Sequence, residues 1–273
     1  MIRINGWGAV YGEVWYDEGL PRDCGIDIIL YRQRGAPIAD SQTTPFLSLV
    51  TDLSGGEDTI TEKFRKDCRY EIRRAETKDG LRTEFIADPE SRLDEFCAFY
   101  DAFAKQKSLG PSDRQWLLAA CKARQLALSS VSQNGEALVW HAHVMFGRTA
   151  GLKYSSSCFR NRENDYRALV GRANRWLHWR DMLRFKGMGI QRYDWGGLFE
   201  DESVPERAGI NKFKKDFGGQ QERTYDCTVP VTIRGRIYIA LRDAWRRHRP
   251  SSSCSRSPTA SVSNPKEPQI EAG

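Results

Sequence analysis

The sequence predicts an α/β fold in which a central, mixed and largely antiparallel sheet is flanked by helices. Apolar residues first recur every three to four positions, as on buried helix faces, and the pattern then changes to strand-like runs around Asn134-Gly135. Asn-Gly between two such runs is a strong signal for a two-residue hairpin turn. A further helical pattern precedes a last strand that ends in Gly196-Gly197. With 273 residues, 40% of them hydrophobic, the chain can build a sizeable core.

The first well-patterned elements are a strand and a basic helix. Residues 46–53 have the composition of a strand, and Thr59-Ile60-Thr61-Glu62 has the pattern of a capping box that begins a helix. The buried stripe of this helix is expected to contain Ile60, Phe64, Cys68, Ile72 and Ala75. Later elements are predicted as helices near 96–103 and 112–124, strands at 126–133, 136–146 and 151–157, a helix at 172–186 and a strand at 190–195.

Composition divides the chain into three parts. Residues 1–45 are expected to be an N-terminal extension of short strands and loops, followed by one domain over 46–249. Residues 250–273 are rich in Ser and Pro and poor in large apolar side chains, which predicts a disordered tail. The seven scattered cysteines indicate reduced thiols, and the absence of a leader or an apolar span favours the cytoplasm.

A net charge of +6 favours an anionic partner without identifying it. The densest basic segment is residues 63–76, in which Arg69 and Arg73 share one face of the predicted helix. Such a row of guanidinium groups could bind a nucleotide, a pyrophosphate or an RNA backbone. An ordinary solvated face explains it as well, because Glu62, Asp67 and Glu71 lie at pairing distance along the helix.

Three further segments could carry chemistry. In residues 193–197, Asp194 ends a predicted strand before two glycines, where it could face a ligand or only cap a turn. Residues 209–219, expected to form a loop, place Lys212, Lys214 and Lys215 among aromatic residues and could neutralise a phosphate. His141 and His143 share one face of a strand, but no third ligand stands at motif spacing, so packed histidines are favoured over a metal site.

Taken in order, these segments resemble the Fem-type (FemAB-like) peptidyltransferases of the GNAT superfamily of N-acyltransferases. The matching segments are the basic helix at 64–76, the hairpin strand at 137–146, the strand at 152–157, the helix with Asn174, Trp176 and Trp179, and the motifs at 193–197 and 212–219. The resemblance covers roughly residues 46–231. It implies a GNAT-like acyltransferase fold and the transfer of an activated acyl group from aminoacyl-tRNA or an acyl thioester.

The resemblance also implies the acceptor and the roles of individual residues. The acceptor would be an amine of a nucleotide-linked or lipid-linked saccharide precursor of the cell envelope or a polysaccharide. Lys214, with the Phe213 backbone, would face the developing oxyanion or the donor phosphate, and Asp194 would orient the acceptor amine or take its proton. The residues expected to line the substrate site are Arg69, Arg73, Tyr154, Asn174, Gly196 and Gly197. Acyl-CoA or aminoacyl-tRNA would act as co-substrate, with no permanently bound cofactor and no metal.

Two other functions compete with this one. Residues 167–173 come close to the acetyl-CoA loop of the wider superfamily, with the arginine one residue too early, and make Gly171 and Ala173 candidate pyrophosphate ligands. This near match favours a CoA-dependent N-acetyltransferase acting on an amino sugar or a small amine. The third possibility is a non-catalytic protein that binds RNA or another polyanion through residues 65–74.

Overall fold

The computed structural model describes residues 1–6, 8–16, 25–158 and 163–248. The strands are β1 (Ile2–Asn5), β2 (Val10–Trp15), β3 (Ile28–Arg34), β4 (Gln42–Asp52), β5 (Leu81–Ile86), β6 (Leu126–Gln133), β7 (Glu136–Phe146), β8 (Thr149–Ser157), β9 (Arg192–Gly197) and β10 (Gln220–Pro230). The helices are α1 (Glu57–Glu62), α2 (Lys66–Thr77), α3 (Leu93–Gln106), α4 (Arg114–Lys122), α5 (Asn164–Gly187), α6 (Pro205–Lys215) and α7 (Ile233–His248), with a 3₁₀ turn at Pro89–Arg92.

These strands form one sheet in the order β1-β2-β3-β10-β4-β9-β8-β7-β6-β5. In the described residues the β2/β3 and β8/β9 pairs are parallel, and the other neighbouring pairs are antiparallel. The expected mixed, largely antiparallel sheet flanked by helices is therefore confirmed. Residues 1–45 contribute β1–β3 to this same sheet; the division into an extension and a 46–249 domain stays a prediction.

The two faces of the sheet bury separate cores, because side chains alternate along each strand. On one face, Val139 and neighbouring strand residues pack under α1, α2 and α5, with Trp176 and Phe185 contributed by α5. On the other face, Trp140 and Ala142 pack under α3 and α4 with Phe96. A functional group on one face is therefore separated from the helices of the other face by the sheet.

The hairpin β6/β7 has the predicted bounds. Asn134 and Gly135 have φ values of 51° and 84°, the left-handed pair that a two-residue hairpin turn requires. The buried stripe of the basic helix is also confirmed, since Ile60, Cys68 and Ala75 are almost fully buried.

Two local predictions were wrong. The capping box does not begin a helix, because Gly56 is the N-cap of α1 and Thr59 lies inside that helix. The chain then breaks and restarts as α2 after Arg65, so the apolar stripe spans two helices. Of residues 209–219, expected to form a loop, 209–215 belong to a helix, because α6 extends over Pro205–Lys215, and only 216–219 lie outside it. Pro205 at the first helical position supplies a start signal that the lysine and glycine content of the segment obscured.

The cysteines of the described residues are free thiols: Cys68, Cys97, Cys121, Cys158 and Cys227. Cys24, Cys254 and the predicted disordered tail at 250–273 lie outside the described residues. None of the described helices combines the length and the apolar character needed to cross a bilayer.

Candidate active site

Strands β8 and β9 separate at Gly151 and Asp194. In their parallel ladder Thr149 pairs with Arg192, Ala150 with Tyr193 and Gly151 with Asp194, and the described register contains no later pair. Beyond that point β8 continues alongside β7, and β9 continues alongside β4. The two carboxyl ends therefore diverge inside the sheet, and the gap between them is called here the β8/β9 cleft. Ligands of α/β proteins commonly bind at such strand ends.

Bulges on both strands account for the divergence. The β7/β8 register shifts so that Lys153 is the extra residue opposite Ala142 and His143. The β4/β9 register shifts between Ser48 and Val50, and Gly196 on the bulged stretch has a φ of 71°. Because a bulge bends its strand and raises the local twist, one on each side turns the two strands apart.

Asp194 sits at the apex of this cleft with its side chain buried, at 1% exposure. Its Oδ2 accepts a hydrogen bond from the Tyr16 hydroxyl at 3.0 Å, and its Oδ1 accepts one from the Gly196 N–H at 2.8 Å. The Gln33 side chain also bonds to this carboxylate. Burial raises the pKa of Asp194 above its usual range, although these hydrogen bonds and the charge of Lys214 oppose the rise. A buried carboxylate with a raised pKa is suited to accept a proton from an amine.

Lys214 approaches the same strand end from α6. It is 5% exposed, and its Nζ donates to the carbonyl oxygen of Gly197 at 2.7 Å. Burial lowers the pKa of Lys214 to about 8, and the charge of Asp194 only partly offsets this. The neighbouring lysines behave differently: Lys212 and Lys215 are exposed, and Lys215 pairs with Glu202 at 2.8 Å. The three lysines of this segment therefore separate into one buried cation beside the cleft and two surface cations.

The glycines that follow α6 allow the chain to pass close to neighbouring backbone. Gly218 and Gly219 have φ values of 71° and 100°, and a Cβ on either would lie 2.8 Å from a backbone carbonyl, that of Lys63 or of Val50. Phe217 is fully buried between the Phe64 and Trp195 rings, and half-buried Phe213 lies under the Arg175 guanidinium. These residues hold α6, and with it Lys214, against the end of β9.

The basic helix, α2, meets the segment that follows α6 at its start, where the Arg65 N–H donates to the Asp216 carbonyl oxygen at 2.8 Å. Arg69 donates from Nη1 to the carbonyl oxygens of Thr61, Glu62 and Phe64, at and just after the end of α1. Arg73 is exposed on the surface of α2. The structure thus gives Arg69 a local structural contact and leaves Arg73 available to an anionic partner.

Tyr154 does not share a channel with these two arginines. Its ring packs against Tyr100 and Phe96 of α3, with centroids 4.7 and 6.0 Å away, and its hydroxyl accepts from the Asp113 N–H at 3.3 Å. Helix α2, which carries Arg69 and Arg73, packs on the opposite face of the sheet. The expectation that the three side chains line one channel is therefore corrected.

Asn174 belongs to a buried histidine network. Its Oδ1 lies 2.8 Å from His141 Nε2, and His141 Nδ1 lies 2.8 Å from Asp181 Oδ2. The Tyr193 hydroxyl bridges His143 Nε2 at 2.9 Å and His178 Nδ1 at 2.7 Å. Burial lowers the pKa of His143 to about 3 and that of His178 well below its usual value, which keeps both imidazoles neutral.

Three side chains of this network are close enough together to ligate a metal ion. The potential ligand atoms of His141, His178 and Asp181 lie within 4.8 Å of one another, and α5 supplies the partners that sequence spacing did not reveal. His141 is hydrogen-bonded at both ring nitrogens and His178 at Nδ1. A cation bound through those atoms would have to break these bonds.

Gly171 and Ala173 lie inside α5, not at its N-terminus. The helix begins at Asn164, so their N–H groups are hydrogen-bonded within the helix, and Ala173 is fully buried. The proposed pyrophosphate contact required free N–H groups at a helix start. Their placement removes the structural basis for that contact.

Sequence reasoning missed the residues that come from the start of the chain. Tyr16, which follows β2, and Gln33 have φ values of 57° and 53°, conformations that non-glycine residues rarely adopt outside constrained sites. Both bond to Asp194. The Tyr16 hydroxyl also occupies the space above Gly151, where a Cβ would lie 2.0 Å from it. A tyrosine in a loop carries no motif, and only the folded sheet reveals this contact.

A second buried charge cluster joins Glu13 of β2 and Arg32 of β3 to Lys153 of β8. Glu13 accepts from the indole N–H groups of Trp15 and Trp116 at 2.7 and 2.8 Å and pairs with Arg32 at 3.3 Å. Lys153 lies over the Trp116 ring, 4.4 Å from its centroid. Burial would raise the pKa of Glu13, but Arg32 and Lys153 together with the indole bonds hold it below its usual value. In the sequence, this cluster could have been suspected from the charged residues Glu13 and Arg32 within the apolar runs of β2 and β3.

Comparison with known proteins identifies the fold. Residues 62–215, more than half of the chain, match the family described as the acetyltransferase (GNAT) domain. The structure is similar to the crystal structure of FemX, with a TM-score of 0.56 and 13% identity over 71% of this chain and 63% of that chain. This chain thus spans less than two thirds of the FemX chain. No curated protein sequence matches it.

Two further solved structures share the fold. L-PGS from Bacillus licheniformis has a TM-score of 0.50 at 13% identity, over 79% of this chain and 72% of that chain. A conserved protein of unknown function from Bacteroides thetaiotaomicron has a TM-score of 0.50 at 14% identity, over 73% of this chain and 69% of that chain. At such low identity these similarities establish the fold.

Proposed function

This chain belongs to the acetyltransferase (GNAT) domain family and is an acyltransferase, and from that premise we propose a more specific reaction. It transfers an activated acyl or aminoacyl group to the amine of a nucleotide-linked or lipid-linked saccharide, a precursor of the cell envelope or of a polysaccharide. The observation that carries the proposal is a buried carboxylate, Asp194, at the apex of the β8/β9 cleft, with the Lys214 cation at the adjoining end of β9.

In this reaction the amine attacks the ester or thioester carbonyl, the new N–C bond forms, and the C–O or C–S bond to the donor breaks. Asp194 orients the amine and takes its proton, which then passes to the departing oxygen or sulfur. Its raised pKa favours proton uptake, and Tyr16 holds the carboxylate in place. Lys214, through its contact with Gly197, supplies positive charge beside the carbonyl oxygen that becomes negative in the transition state.

Three considerations support an aminoacyl donor. The motifs at 193–197 and 212–219 resemble those of Fem-type peptidyltransferases, and the fold is similar to that of FemX. Gly171 and Ala173 lie inside α5, where they offer no N–H groups to a CoA pyrophosphate. The exposed Arg73 and the net charge of +6 suit contact with a polyanion such as tRNA. With these co-substrates the protein would act in the cytoplasm and hold no permanent cofactor.

A CoA-dependent N-acetyltransferase acting on an amino sugar or a small amine is the second candidate. The observation in its favour is the description of the matching family, which is that of an acetyltransferase domain. It requires pyrophosphate ligands other than Gly171 and Ala173.

A donor assay separates the two candidates. The purified full-length protein is incubated with labelled aminoacyl-tRNA or with labelled acetyl-CoA, each over the same panel of nucleotide-linked, lipid-linked and free amino sugars. The proposal expects transfer from the charged tRNA to a linked saccharide, and this transfer should be lost in Asp194→Asn. Transfer from acetyl-CoA alone would establish the second candidate, and absence of transfer from either donor would contradict both.

A further inference from the structure

Helix α7 carries an apolar stripe on its exposed side. Ile233, Ile237 and Leu241 follow one another at four-residue spacing and are 77%, 56% and 66% exposed. That spacing places them on one side of the helix. Most of the exposed large apolar side chains of the described residues lie in or next to this helix. Apolar residues scattered singly need no explanation, but a contiguous row of them marks a surface for interaction.

The other side of α7 fixes it to the domain. Gly235 packs so closely on the backbone of Asp27 that a Cβ would lie 2.2 Å from its carbonyl oxygen. Ile239 is buried, and the ring of Tyr238 meets that of Tyr11 edge-on, with centroids 5.9 Å apart. The helix is therefore already docked through one face, and the apolar stripe is the face directed away from the protein.

Basic residues flank the stripe. Arg234 has a side chain that is 63% exposed, although its Nε donates to the Gly8 carbonyl oxygen at 2.7 Å and lies 3.9 Å from Asp27 Oδ2. Arg236 is also exposed. The last turn of the helix contains Arg246, Arg247 and His248 in its sequence. The acidic residue of α7, Asp243, is paired with Arg242. An apolar stripe bordered by positive charge is the pattern of a helix that lies in the interface of an anionic membrane.

Other occupants fit this surface less well. Residues 249–273 follow the helix, but their large aliphatic residues are limited to Val262 and Ile270, which is too little to cover a stripe of three such side chains. Pairing of α7 with the same helix of a second copy would bring the flanking arginines toward one another, and like charges repel at short range. Anionic headgroups, in contrast, complement those arginines.

We propose that α7 docks this protein on the surface of a bilayer rich in anionic lipids. Ile233, Ile237 and Leu241 enter the boundary between headgroups and acyl chains, while Arg234 and Arg236 contact the headgroups. The helix lies along the membrane surface and does not cross it. The proposal stands on the surface of α7 alone and does not depend on which donor or acceptor the active site uses.

Vesicle sedimentation tests it with the full-length protein. The protein is spun with sucrose-loaded vesicles of phosphatidylcholine alone or of phosphatidylcholine with phosphatidylglycerol, at low and high salt. We expect binding to the phosphatidylglycerol vesicles, weakened by salt. Leu241→Asp should reduce the partition coefficient at least tenfold, because it removes apolar area and adds a repelled charge. Arg236→Gln should reduce it about fivefold, the effect of one basic residue at an anionic surface.

Matched controls keep the result interpretable. Met188→Asp changes an apolar residue that is 48% exposed and lies outside α7, so binding should be unchanged. Thermal unfolding of each variant checks that the fold is intact. Absence of sedimentation for the wild type with phosphatidylglycerol, or equal binding by the wild type and Leu241→Asp, would overturn the proposal. A wild-type dimer that Leu241→Asp converts to a monomer would also overturn it, because a second copy would then cover the stripe.

Discussion

The hydroxyl of Tyr16 donates a hydrogen bond to Asp194 Oδ2 at 3.0 Å, joining the start of the chain to the carboxylate at the β8/β9 cleft. This bond stabilises the charged form of the carboxylate and lowers its pKa. Tyr16→Phe should therefore raise the pKa of Asp194 further. We expect the acidic limb of the pH profile of kcat/KM to move to higher pH.

The matched control for this change is Tyr70→Phe, because Tyr70 is 64% exposed on α2 and remote from the cleft. Its pH profile should coincide with that of the wild type. Superimposable profiles for Tyr16→Phe and the wild type would show that Tyr16 does not tune the carboxylate.

Stability in alkaline solution reports on the burial of Lys214. Burial lowers its pKa from 10.5 to about 8, so between these values the unfolded chain binds a proton that the folded chain does not. The contribution of this residue to the free energy of unfolding should therefore rise with pH across that window, by about 3 kcal/mol in total. Urea unfolding at pH 7.5 and 9.5 should show a smaller rise in Lys214→Met than in the wild type. An equal rise in both would mean that Lys214 is solvated.

Two arginines on α2 should give opposite results. Arg69→Gln removes the donor to three carbonyl oxygens at the end of α1 and should lower the free energy of unfolding by about 1–2 kcal/mol. Arg73→Gln removes an exposed charge and should leave stability unchanged while weakening tRNA binding and its dependence on salt. Urea unfolding and filter binding measure the two effects. Unchanged tRNA affinity in Arg73→Gln at low salt would identify this face as solvated surface.

The histidine network predicts sensitivity to acid. Burial lowers the pKa of His143 to about 3, below the value near 6.5 of an unfolded histidine. Below pH 6.5 the unfolded chain takes up a proton that the folded chain cannot, so this residue makes the free energy of unfolding fall as the pH drops toward 3. The slope is up to about 1.4 kcal/mol per pH unit. Urea unfolding between pH 6.5 and 4.5 should show a shallower slope in His143→Gln, and parallel slopes would contradict this assignment.

Local patterns predicted the elements whose geometry is local. The β6/β7 hairpin follows from Asn134-Gly135 between two strand-like runs, because a turn with two positive φ values admits few other residues. The buried stripe through Phe64 and Cys68 follows from helical spacing. The same spacing did not predict the break in the helix before Lys66. Residues 209–215 form a helix whose apolar side, including half-buried Phe213, packs on the core, and tertiary packing outweighed its glycine and lysine content.

The candidate site could be predicted only in part, for a physical reason. Asp194 and Lys214 belong to recognisable segments, so sequence reasoning selected them, but their burial and partners depend on the sheet order. Tyr16 reaches Asp194 only because β2 and β3 join the same sheet as β9, a pairing of distant segments that no local pattern encodes. The same long-range order separates Tyr154 from Arg69.

The most direct test of the central claim, an acyl-transfer site at the β8/β9 cleft, is kcat/KM for alanine variants of the three lysines near the end of α6. Lys214→Ala should lower kcat/KM by roughly 10² to 10³, the scale of losing one partner of the oxyanion, with the fold retained by circular dichroism. Lys212→Ala and Lys215→Ala, which alter exposed side chains, should cost little. Equal effects from all three variants, or a loss of activity in Lys214→Ala that follows only from unfolding, would contradict the proposed site.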